Sequence, residues 1–395
     1  MTRIALHAPA FAADPHTHYR YLREWGPVAP VEIVPGVDAW LVTDYALALR
    51  ILCDTETWSR DARPWQGALP PDSPVLPMLG WQPTALFADG PAHARLRQVI
   101  TDSLGIIEPH LLQRQVAAVA ERLIGEFGPS GHAELISRYA RRLPALVLNS
   151  WYGIPDAVSD RITSTLASVV ESGEDATAAY ADFTATVSAL VAERRAAPRG
   201  DLISAFLAHP ADLDDEEAAR HITLTLSAGH EPTANLIGNA LLRMLTDDRY
   251  AGSLYSGAMT ARQAITATLW HEPPLATFSA HYPRADVELQ GVRIRRDQLV
   301  LISYAAANTQ AAPDSPADAD KGGENAHLAW AAGPHRCPAQ APATLIAVTA
   351  IEHLISRLAD LTLAIPAAEL SWRPGPFHRA LRALPVRFTA VRPPA

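Results

Sequence analysis

The sequence predicts a mainly α-helical protein with a small strand-rich lobe, formed as a single domain over residues 1–395. Three observations support this prediction. From about Gly90 to residue 250 the pattern is helical, with Ala, Leu, Arg and Glu dominating. Short apolar runs bounded by turn residues occur at 31–42 and again at 284–304. No internal repeat, low-complexity tract or flexible linker divides the chain.

The first third of the chain mixes short strands with helices. Val31–Val34 and Ala39–Val42 flank the turn sequence Pro35-Gly36-Val37-Asp38, and this combination predicts a β-hairpin. Residues 60–90 are rich in Pro and Gly, with scattered Trp and Leu. A segment of that length is either an ordered functional loop or a partly mobile surface loop.

The longest helical pattern begins near Asp212 and continues to about Leu245. Its first turn is acidic, as the positive end of a helix dipole favours. A helix of about 32 residues would be about 48 Å long, so we expect it to cross the whole domain. Pro232 removes one backbone donor, and we expect the helix to open or kink near Gly229.

The last third begins with strands, which are predicted at Val287–Leu289, Val292–Ile294 and Leu299–Ile302. Residues 307–329 show almost no periodicity and predict a second long irregular loop. A helix from about Ala339 to Leu358 and a strand-rich tail complete the chain.

Composition and charge exclude several classes of function. Hydrophobic residues make up 48% and charged residues 19%, which suits a buried core and argues against disorder. The formal charge of -9 gives no support for nucleic-acid binding. The only cysteines, Cys53 and Cys337, are too few for a disulfide framework and favour a reducing cytoplasm. Because no stretch reaches roughly 20 apolar residues, we expect a soluble cytoplasmic protein with no membrane segment.

Cys337 lies in a Gly/Pro turn just before the last predicted helix, within the sequence HLAWAAGPHRCPAQ. Turn amides and the positive end of the helix dipole favour a thiolate, the form that ligates metals. His335 and Arg336 add positive charge beside it. Taken alone, a single cysteine is more often a small buried hydrophobe.

The same loop resembles the heme-binding loop of cytochromes P450. Trp330 takes the place of the family's aromatic residue, and Gly333 matches its first glycine. Cys337 is then the axial iron ligand, while Ala339 replaces the second glycine. Five further stretches agree in order and spacing, so the resemblance covers most of the chain. It implies the cytochrome P450 fold, with the long central helix over heme b (iron protoporphyrin IX) and a thiolate that favours O–O cleavage.

The resemblance also implies donors to the heme propionates. GPAHARLR resembles the family's helix in which His and Arg bind a propionate, and i, i+4 spacing puts His93 and Arg97 on one face. A solvated basic face is the alternative for this pair. In FSAHYPRADVEL, His281 stands where the family commonly has a propionate-binding arginine. His335 stands at a further donor position.

AGHEPT, at Ala228–Thr233, resembles the family's oxygen-activating segment, in which an acid followed by an alcohol delivers protons. Glu231 matches the acid, whereas Pro232 occupies the place of the alcohol and Thr233 follows it. Either Thr233 compensates through the kink, or water or a substrate group carries the proton. Ala228 is expected beside the heme.

ITATLWHEPP is the largest departure from the family. Cytochromes P450 nearly always carry Glu-x-x-Arg here, but the aligned residues are Ala267 and Trp270. The usual arginine partner of this motif falls near Gly322. Replacing a whole charged cluster by apolar groups is close to neutral, so we expect a folded, heme-loaded protein in which Trp270 fills the space. A minority of actinomycete-like family members also lack the cluster.

The predicted substrate pocket combines the 60–90 segment, the central helix and the residues that follow ITATLWHEPP. Core packing is the alternative for each apolar member. The predicted pocket residues are Trp65, Leu86, Phe87, Leu224, Ser227, Ala276, Thr277, Phe278, Ser279 and Phe377.

The implied function is hydroxylation or epoxidation of a small natural-product scaffold in secondary metabolism. Electrons come from a separate ferredoxin or flavodoxin with a reductase, and the enzyme is expected to be a monomer. Arg95 and Arg336 are either a docking patch or ordinary surface charge. One open alternative is radical C–C or C–N coupling of aromatic substrates, such as tryptophan-containing diketopiperazines, with which Pro232 is compatible. The other is a non-catalytic heme-binding sensor.

Overall fold

A computed structural model describes residues 3–155, 158–159, 162, 165, 175–247, 260–312 and 326–391. Its α-helices are α1 (Pro9–Ala13), α2 (Pro15–Glu24), α3 (Tyr45–Cys53), α4 (Arg63–Gln66), α5 (Leu76–Leu79), α6 (Gly90–Gly105), α7 (Pro109–Phe127), α8 (Arg142–Tyr152), α9 (Ala176–Ala196), α10 (Leu202–Leu207), α11 (Asp215–Thr246), α12 (Ala261–His271), α13 (Tyr304–Ala311) and α14 (Gln340–Arg357). Its strands are β1 (Ile4–Ala5), β2 (Val28–Val34), β3 (Val37–Val42), β4 (Trp58–Ser59), β5 (His132–Glu134), β6 (Thr277–Pro283), β7 (Val287–Leu289), β8 (Val292–Ile294), β9 (Val300–Ser303), β10 (Thr362–Leu363) and β11 (Pro385–Arg387). Within the described ranges, no helix combines the length and the apolar content that spanning a bilayer requires.

Helix α11 is the predicted central helix, and its 32 residues match the expected length. It begins at Asp215 rather than at Asp212, because Asp212 has a φ of 49° and Asp214 caps the first turn. The Asp214 carboxylate accepts the Glu217 N–H, while the Glu217 side chain accepts the Asp214 N–H, which forms a capping box. Residues on both sides of Pro232 remain helical, so the opening expected near Gly229 is limited to the hydrogen bond that proline cannot donate. The missing N–H of Pro232 still leaves the Ala228 carbonyl without its helical donor.

Helix α11 packs against α8, α9, α12 and α14 in the middle of the helical layer. A buried apolar cluster joins it to α7, α8, α12 and α14. Gly229 lets α8 approach closely, since a Cβ there would lie 3.2 Å from the Leu148 Cδ1 atom. The centre of α11 is thereby fixed opposite the segment that carries Cys337.

The strand-rich lobe contains a six-stranded sheet in the order β1-β2-β3-β9-β6-β4. The predicted hairpin is confirmed as β2 and β3, which are antiparallel with Val34 opposite Val37. Strand β6 pairs with β9, but the register shifts between Phe278 and His281, where Ser279 has a φ of 53°. This irregularity lies at the edge of the cavity described below.

Three local predictions need correction. The irregular segment predicted at 307–329 begins with helix α13, because the Ser303 side chain caps its alanine-rich first turn by accepting the Ala306 N–H. Residues 313–325 of that segment lie outside the described residues. Strand β5 interrupts the helical region, since it pairs with the distant β11. The 60–90 segment contains α4, α5 and a 3-10 turn rather than a continuous loop.

Candidate functional site

A mainly apolar cavity of about 250 Å³ lies between the middle of α11 and the segment around Cys337. Ala228, Pro232 and Thr233 border it from α11, and Cys337 and Trp330 border it from the opposite side. The backbone around Cys337 therefore decides what chemistry this cavity can support.

The cysteine loop is held by backbone contacts. The Cys337 N–H donates to the Trp330 carbonyl at 2.8 Å, and Arg97 donates to the Arg336 carbonyl. Gly333 has a φ of +67°, and a Cβ there would lie 2.3 Å from the Leu52 carbonyl oxygen of α3. Gly333 therefore supports the loop through its packing on α3, and the structure places it outside the cavity wall.

The Cys337 thiol is largely buried, and burial raises its pKa above the ordinary value. The Ala339 N–H and the guanidinium groups of Arg97 and Arg336 lower it only in part. The turn donor at Ala339 thus favours the thiolate, as expected, but loss of solvent outweighs this local effect. Metal coordination is what would deprotonate this sulfur.

Ala331 adopts a backbone conformation that suits glycine. Its φ is 56° and its ψ is -170°, whereas Ala339, which caps α14, has an unstrained φ of -101°. A non-glycine residue in such a left-handed conformation costs about 1–3 kcal/mol. Strain in the loop is thus confined to Ala331, a position that sequence reasoning did not single out.

We expect Ala331→Gly to stabilise the protein by about 1 kcal/mol, because the strain removed exceeds the added chain entropy of the unfolded state. Ala339→Gly is the matched control and should be neutral or destabilising, since no strain is relieved there. Urea unfolding of both variants measures the difference. A lower midpoint for Ala331→Gly than for the parent protein would contradict the assignment of strain.

A group of cationic and imidazole side chains lies at one edge of the cavity. Arg60, Arg97 and His335 border it directly, and His93 stacks on His335 with ring centroids 4.0 Å apart. The His93 Nε2 atom is buried with no hydrogen-bond partner. Burial lowers the pKa of His335, and the nearby cations Arg60 and Arg97 lower it further. In the part of the chain that the structure describes, neither of these two arginines forms an ion pair with a carboxylate.

These residues fit heme b. Cys337 brings a single cysteine sulfur to the cavity wall, which suits an iron that already sits in a macrocycle. Arg97 supplies positive charge and N–H donors, and His93 and His335 supply further ring donors, a set that suits two propionate carboxylates. The apolar side chains of Leu236, Ile346 and their neighbours suit the faces of the porphyrin.

His281 is placed differently from the expectation. It lies outside the cavity wall, fully buried behind Arg60, and its Nδ1 is 2.7 Å from the Ser279 carbonyl. Burial lowers the pKa of His281 well below its ordinary value, and the Arg60 charge adds to this effect. A neutral ring in this position contacts Arg60 rather than the cavity.

Glu231 also needs correction. Its side chain is 0% exposed, points away from the cavity and lies 3.0 Å from Arg141 and 3.2 Å from Arg373. Burial alone raises the pKa of Glu231, but Arg373, His230 and Arg141 outweigh it and lower the pKa to about 2. Glu231 is an ionised partner of two arginines in this structure, and it does not present a proton to the cavity.

Several predicted pocket residues do border the cavity. The structure places Leu86, Leu224, Phe278 and Ser279 on its wall, together with Thr233. The Ser279 hydroxyl pairs with the Tyr304 hydroxyl, and Tyr304 also borders the cavity. The part of the wall formed by α11 is mainly apolar, with Thr225 and Thr233 as its hydroxyl-bearing residues.

The other predicted pocket residues lie outside the cavity wall. Trp65, Phe87, Ala276 and Phe377 belong to the apolar core between the sheet and the 60–90 segment. Thr277 is buried opposite Ser303 in the sheet, and the Ser227 hydroxyl donates back to the Thr223 carbonyl of its own helix. Their apolar or small polar character was equally compatible with core packing, which is the outcome.

The position of the missing charged cluster is occupied by uncharged side chains. Ala267 and Trp270 are buried on α12, and the Trp270 ring packs edge-on against His327 at 5.7 Å. Burial lowers the pKa of His327 to about 4, so this ring is neutral at pH 7. Asn308 links the region by donating to the Leu269 carbonyl and accepting the Leu328 N–H. Gly322 lies outside the described residues.

Sequence reasoning missed Arg60 and the part of the wall formed by α6 and α8. Arg60 lies three residues before the exposed Arg63, and no local signal separates the two. Ile100, Leu148 and Tyr152 border the cavity from helices whose apolar faces read only as core.

Comparison with models of known protein families finds no match. Among curated proteins the chain is 30% identical to cytochrome P450 107B1 of Saccharopolyspora erythraea, over 96% of each chain. It is 29% identical to the cytochrome P450 monooxygenase PikC of Streptomyces venezuelae, covering 97% of this chain and 93% of the relative. Among solved structures it superposes on CYP154C4 from Streptomyces sp. W2061 with a TM-score of 0.89, at 27% identity over 98% of both chains.

These likenesses run the length of the chain and agree with the cavity geometry. The fold is that of the solved P450 structures, the cofactor is heme b and the protein is an oxidoreductase. The resemblance found in the motifs is confirmed: the chain belongs to the cytochrome P450 family.

Proposed function

We propose that the enzyme inserts oxygen into a small, largely apolar natural-product scaffold of secondary metabolism, by hydroxylation or epoxidation. One observation carries this proposal: Cys337 and Thr233 border the same mainly apolar cavity, from opposite sides. A cavity lined by hydrophobic groups with few polar ones is the usual form of a small-molecule site.

The names of two relatives support oxygen insertion. Mycinamicin IV hydroxylase/epoxidase of Micromonospora griseorubida is 29% identical over 93% of this chain. The 6-deoxyerythronolide B hydroxylase of Saccharopolyspora erythraea is 27% identical over 97% of it. Both names describe hydroxylation or epoxidation of a natural product, which makes these two compounds reasonable first probes.

The chain's own residues divide the work as follows. Cys337 ligates the iron through its sulfur, while Arg97, His93 and His335 hold the propionates. When bound, heme supplies the thiolate-ligated iron at which dioxygen is reduced and cleaved. Phe278, in contact with Phe377 at 5.9 Å between ring centroids, presents an apolar surface that orients substrate and excludes water.

Proton handling falls to Thr233 and the backbone beside it. Pro232 has no N–H, so the Ala228 carbonyl is free to accept a hydrogen bond from water or from a substrate N–H or O–H. Ala228, Pro232 and Thr233 all border the cavity, so a water bound by the Ala228 carbonyl and the Thr233 hydroxyl would lie inside it. This arrangement supports compensation by Thr233 for the displaced alcohol.

The enzyme binds a small-molecule substrate and takes electrons from a redox partner, as its relatives do. We assign that partner to the ferredoxin or flavodoxin class and the enzyme to the monomeric state. Arg336 is exposed beside Cys337 and suits an acidic partner. Arg95 suits it less, because its guanidinium is paired with Glu217.

A reducing cytoplasm is the compartment that we propose, because both cysteines are free and one of them must remain available as a thiolate. We also propose a single domain over the 395 residues. Strands β1 and β9 share one sheet and β5 and β11 share another, so segments far apart in sequence are hydrogen-bonded together.

The test is turnover of 6-deoxyerythronolide B and mycinamicin IV under ¹⁸O₂ with a surrogate ferredoxin and reductase, analysed by mass spectrometry. We expect one labelled oxygen per product. Thr233→Ala should lower the labelled product per NADPH consumed by about a hundredfold, as loss of a general acid–base group does. If the enzyme instead converts a tryptophan-containing diketopiperazine into a dimer without label, the reaction is radical coupling and the proposal of oxygen insertion is wrong. If none of these compounds increases the rate of NADPH consumption, the result favours a non-catalytic heme-binding sensor.

A further inference from the structure

Arg60 has an unusual environment for an arginine. It is 5% exposed, it borders the cavity, and burial lowers its pKa. Among the described residues its guanidinium has no carboxylate within ion-pair distance. An unpaired buried charge is costly unless a partner of opposite charge is bound, so the position calls for an anion.

The Asp89 carboxylate, whose charge acts on Arg60, already bonds to other groups. Asp89 accepts the backbone N–H of Arg60 at 3.1 Å and the Ser59 hydroxyl at 2.7 Å. It also forms an ion pair with Arg284 at 2.9 Å. Asp89 thus fixes the backbone at Arg60 but leaves the guanidinium of Arg60 without an acidic partner.

His281 orients this guanidinium. The Nη1 atom of Arg60 lies 3.3 Å from both ring nitrogens of His281. Since His281 Nδ1 is 2.7 Å from the Ser279 carbonyl, Nδ1 carries the proton and the ring is neutral. Because Arg60 Nη1 is equidistant from the two ring nitrogens, it lies over the face of this ring. The hydrogen bond that the described residues give the Arg60 Nε goes to the Leu86 carbonyl at 3.5 Å, which is too long to account for the burial of a charge.

Neighbouring side chains at this edge of the cavity are also basic, so they cannot neutralise the charge of Arg60. Arg97, His335 and Arg60 all border the same edge of the cavity, so positive charges and imidazoles converge there. Guanidinium groups bind carboxylates through two parallel hydrogen bonds, a geometry that lysine and histidine lack. Heme b brings two carboxylates to this cavity.

We propose that Arg60, oriented by a neutral His281, binds a propionate carboxylate of the heme. The family commonly has an arginine at the position of His281. In this chain Arg60, which follows β4 beside β6, would supply the guanidinium instead. This inference rests on the heme-binding part of the proposed function and adds a propionate ligand that the sequence motifs do not contain.

The experiment measures heme retention, which is independent of turnover. Ferric wild-type protein and its variants are mixed with excess apomyoglobin, and transfer of heme is followed by absorbance. We expect Arg60→Met to lose heme about 10 to 100 times faster, as loss of hydrogen bonds to a charged group predicts. Arg60→Lys should lose heme at an intermediate rate, because lysine keeps the positive charge but lacks the two parallel N–H donors of a guanidinium.

Two further proteins separate propionate binding from a general loss of structure. The double variant Arg60→Met/His281→Arg returns the guanidinium to position 281 and should recover most of the wild-type retention. Arg63→Met is the matched control: Arg63 is exposed, pairs with Asp61 and does not border the cavity, so heme transfer should keep the wild-type rate.

Thermal unfolding of the heme-free proteins separates a role in heme binding from a role in stabilising the fold. If Arg60 serves the heme, the heme-free Arg60→Met protein unfolds at the same or a higher temperature than wild type, because an unpaired cation has been removed. The proposal is wrong if Arg60→Met lowers the unfolding temperature equally with and without heme. It is also wrong if Arg60→Met loses heme at the wild-type rate. A protein that retains heme but never oxidises substrate would contradict the proposed oxidation only. The proposed role of Arg60 would stand, because heme transfer is measured without turnover.

Discussion

Replacing Cys337 by alanine is expected to lower substrate oxidation by at least about a thousandfold, equal to about 4 kcal/mol of barrier. The variant removes the cysteine sulfur from the cavity wall, and with it the thiolate that favours O–O cleavage. The purified variant should also carry much less heme and should lack the thiolate spectrum. Product formation and heme content per protein measure both effects.

Cys53→Ala is the control for this experiment. Cys53 is the other free cysteine, it is exposed at the end of α3, and it does not border the cavity. Its replacement should leave heme content and turnover at wild-type values. If Cys337→Ala instead kept both its pigment and its activity, the assignment of the iron ligand would be wrong.

Replacing Glu231 by glutamine is expected to destabilise the protein by about 3 kcal/mol, because breaking a buried ion pair leaves buried charge less compensated. The Glu231 carboxylate is 0% exposed and lies within 3.2 Å of two guanidinium groups, from Arg141 and Arg373. Urea unfolding at pH 7 measures the loss. Glu126→Gln is the control, since its pair with Arg142 is exposed at the surface and should contribute less than about 1 kcal/mol.

The effect of Glu231 should also depend on pH. Its pKa is about 2 in the folded protein, below the ordinary value of 4.5. The folded state therefore binds the proton less tightly than the unfolded state does, and the stabilisation is complete above pH 4.5 and lost as the pH falls towards 2. The stability difference between wild type and Glu231→Gln should be smaller at pH 4 than at pH 7. A difference that stayed constant would indicate a carboxyl of ordinary pKa.

Local signals made the main features of the fold predictable. The acidic turn at Asp214 and the apolar run after it specify a long helix without reference to the rest of the chain. The hairpin at residues 28–42 is specified by its turn sequence in the same way. The cysteine loop was recognisable because its residues follow a fixed spacing that the backbone turn requires.

The remaining features depend on contacts between distant segments. Arg60 and His281 are 221 residues apart, and nothing in either segment indicates that they meet. Glu231 matches the family's acid in sequence, but its role depends on Arg141 and Arg373, which reach it from other elements. Apolar residues such as Trp65 suit a pocket and a core equally, and only packing separates the two. Strand β5 is three residues long and exists because β11 lies beside it.

The absorption spectrum of the reduced wild-type protein under carbon monoxide tests the central claim most directly. If the sulfur of residue 337 ligates heme iron as a thiolate, the Soret band shifts strongly to the red. A band at the position typical of histidine-ligated heme, in a protein with full heme content, would contradict the account.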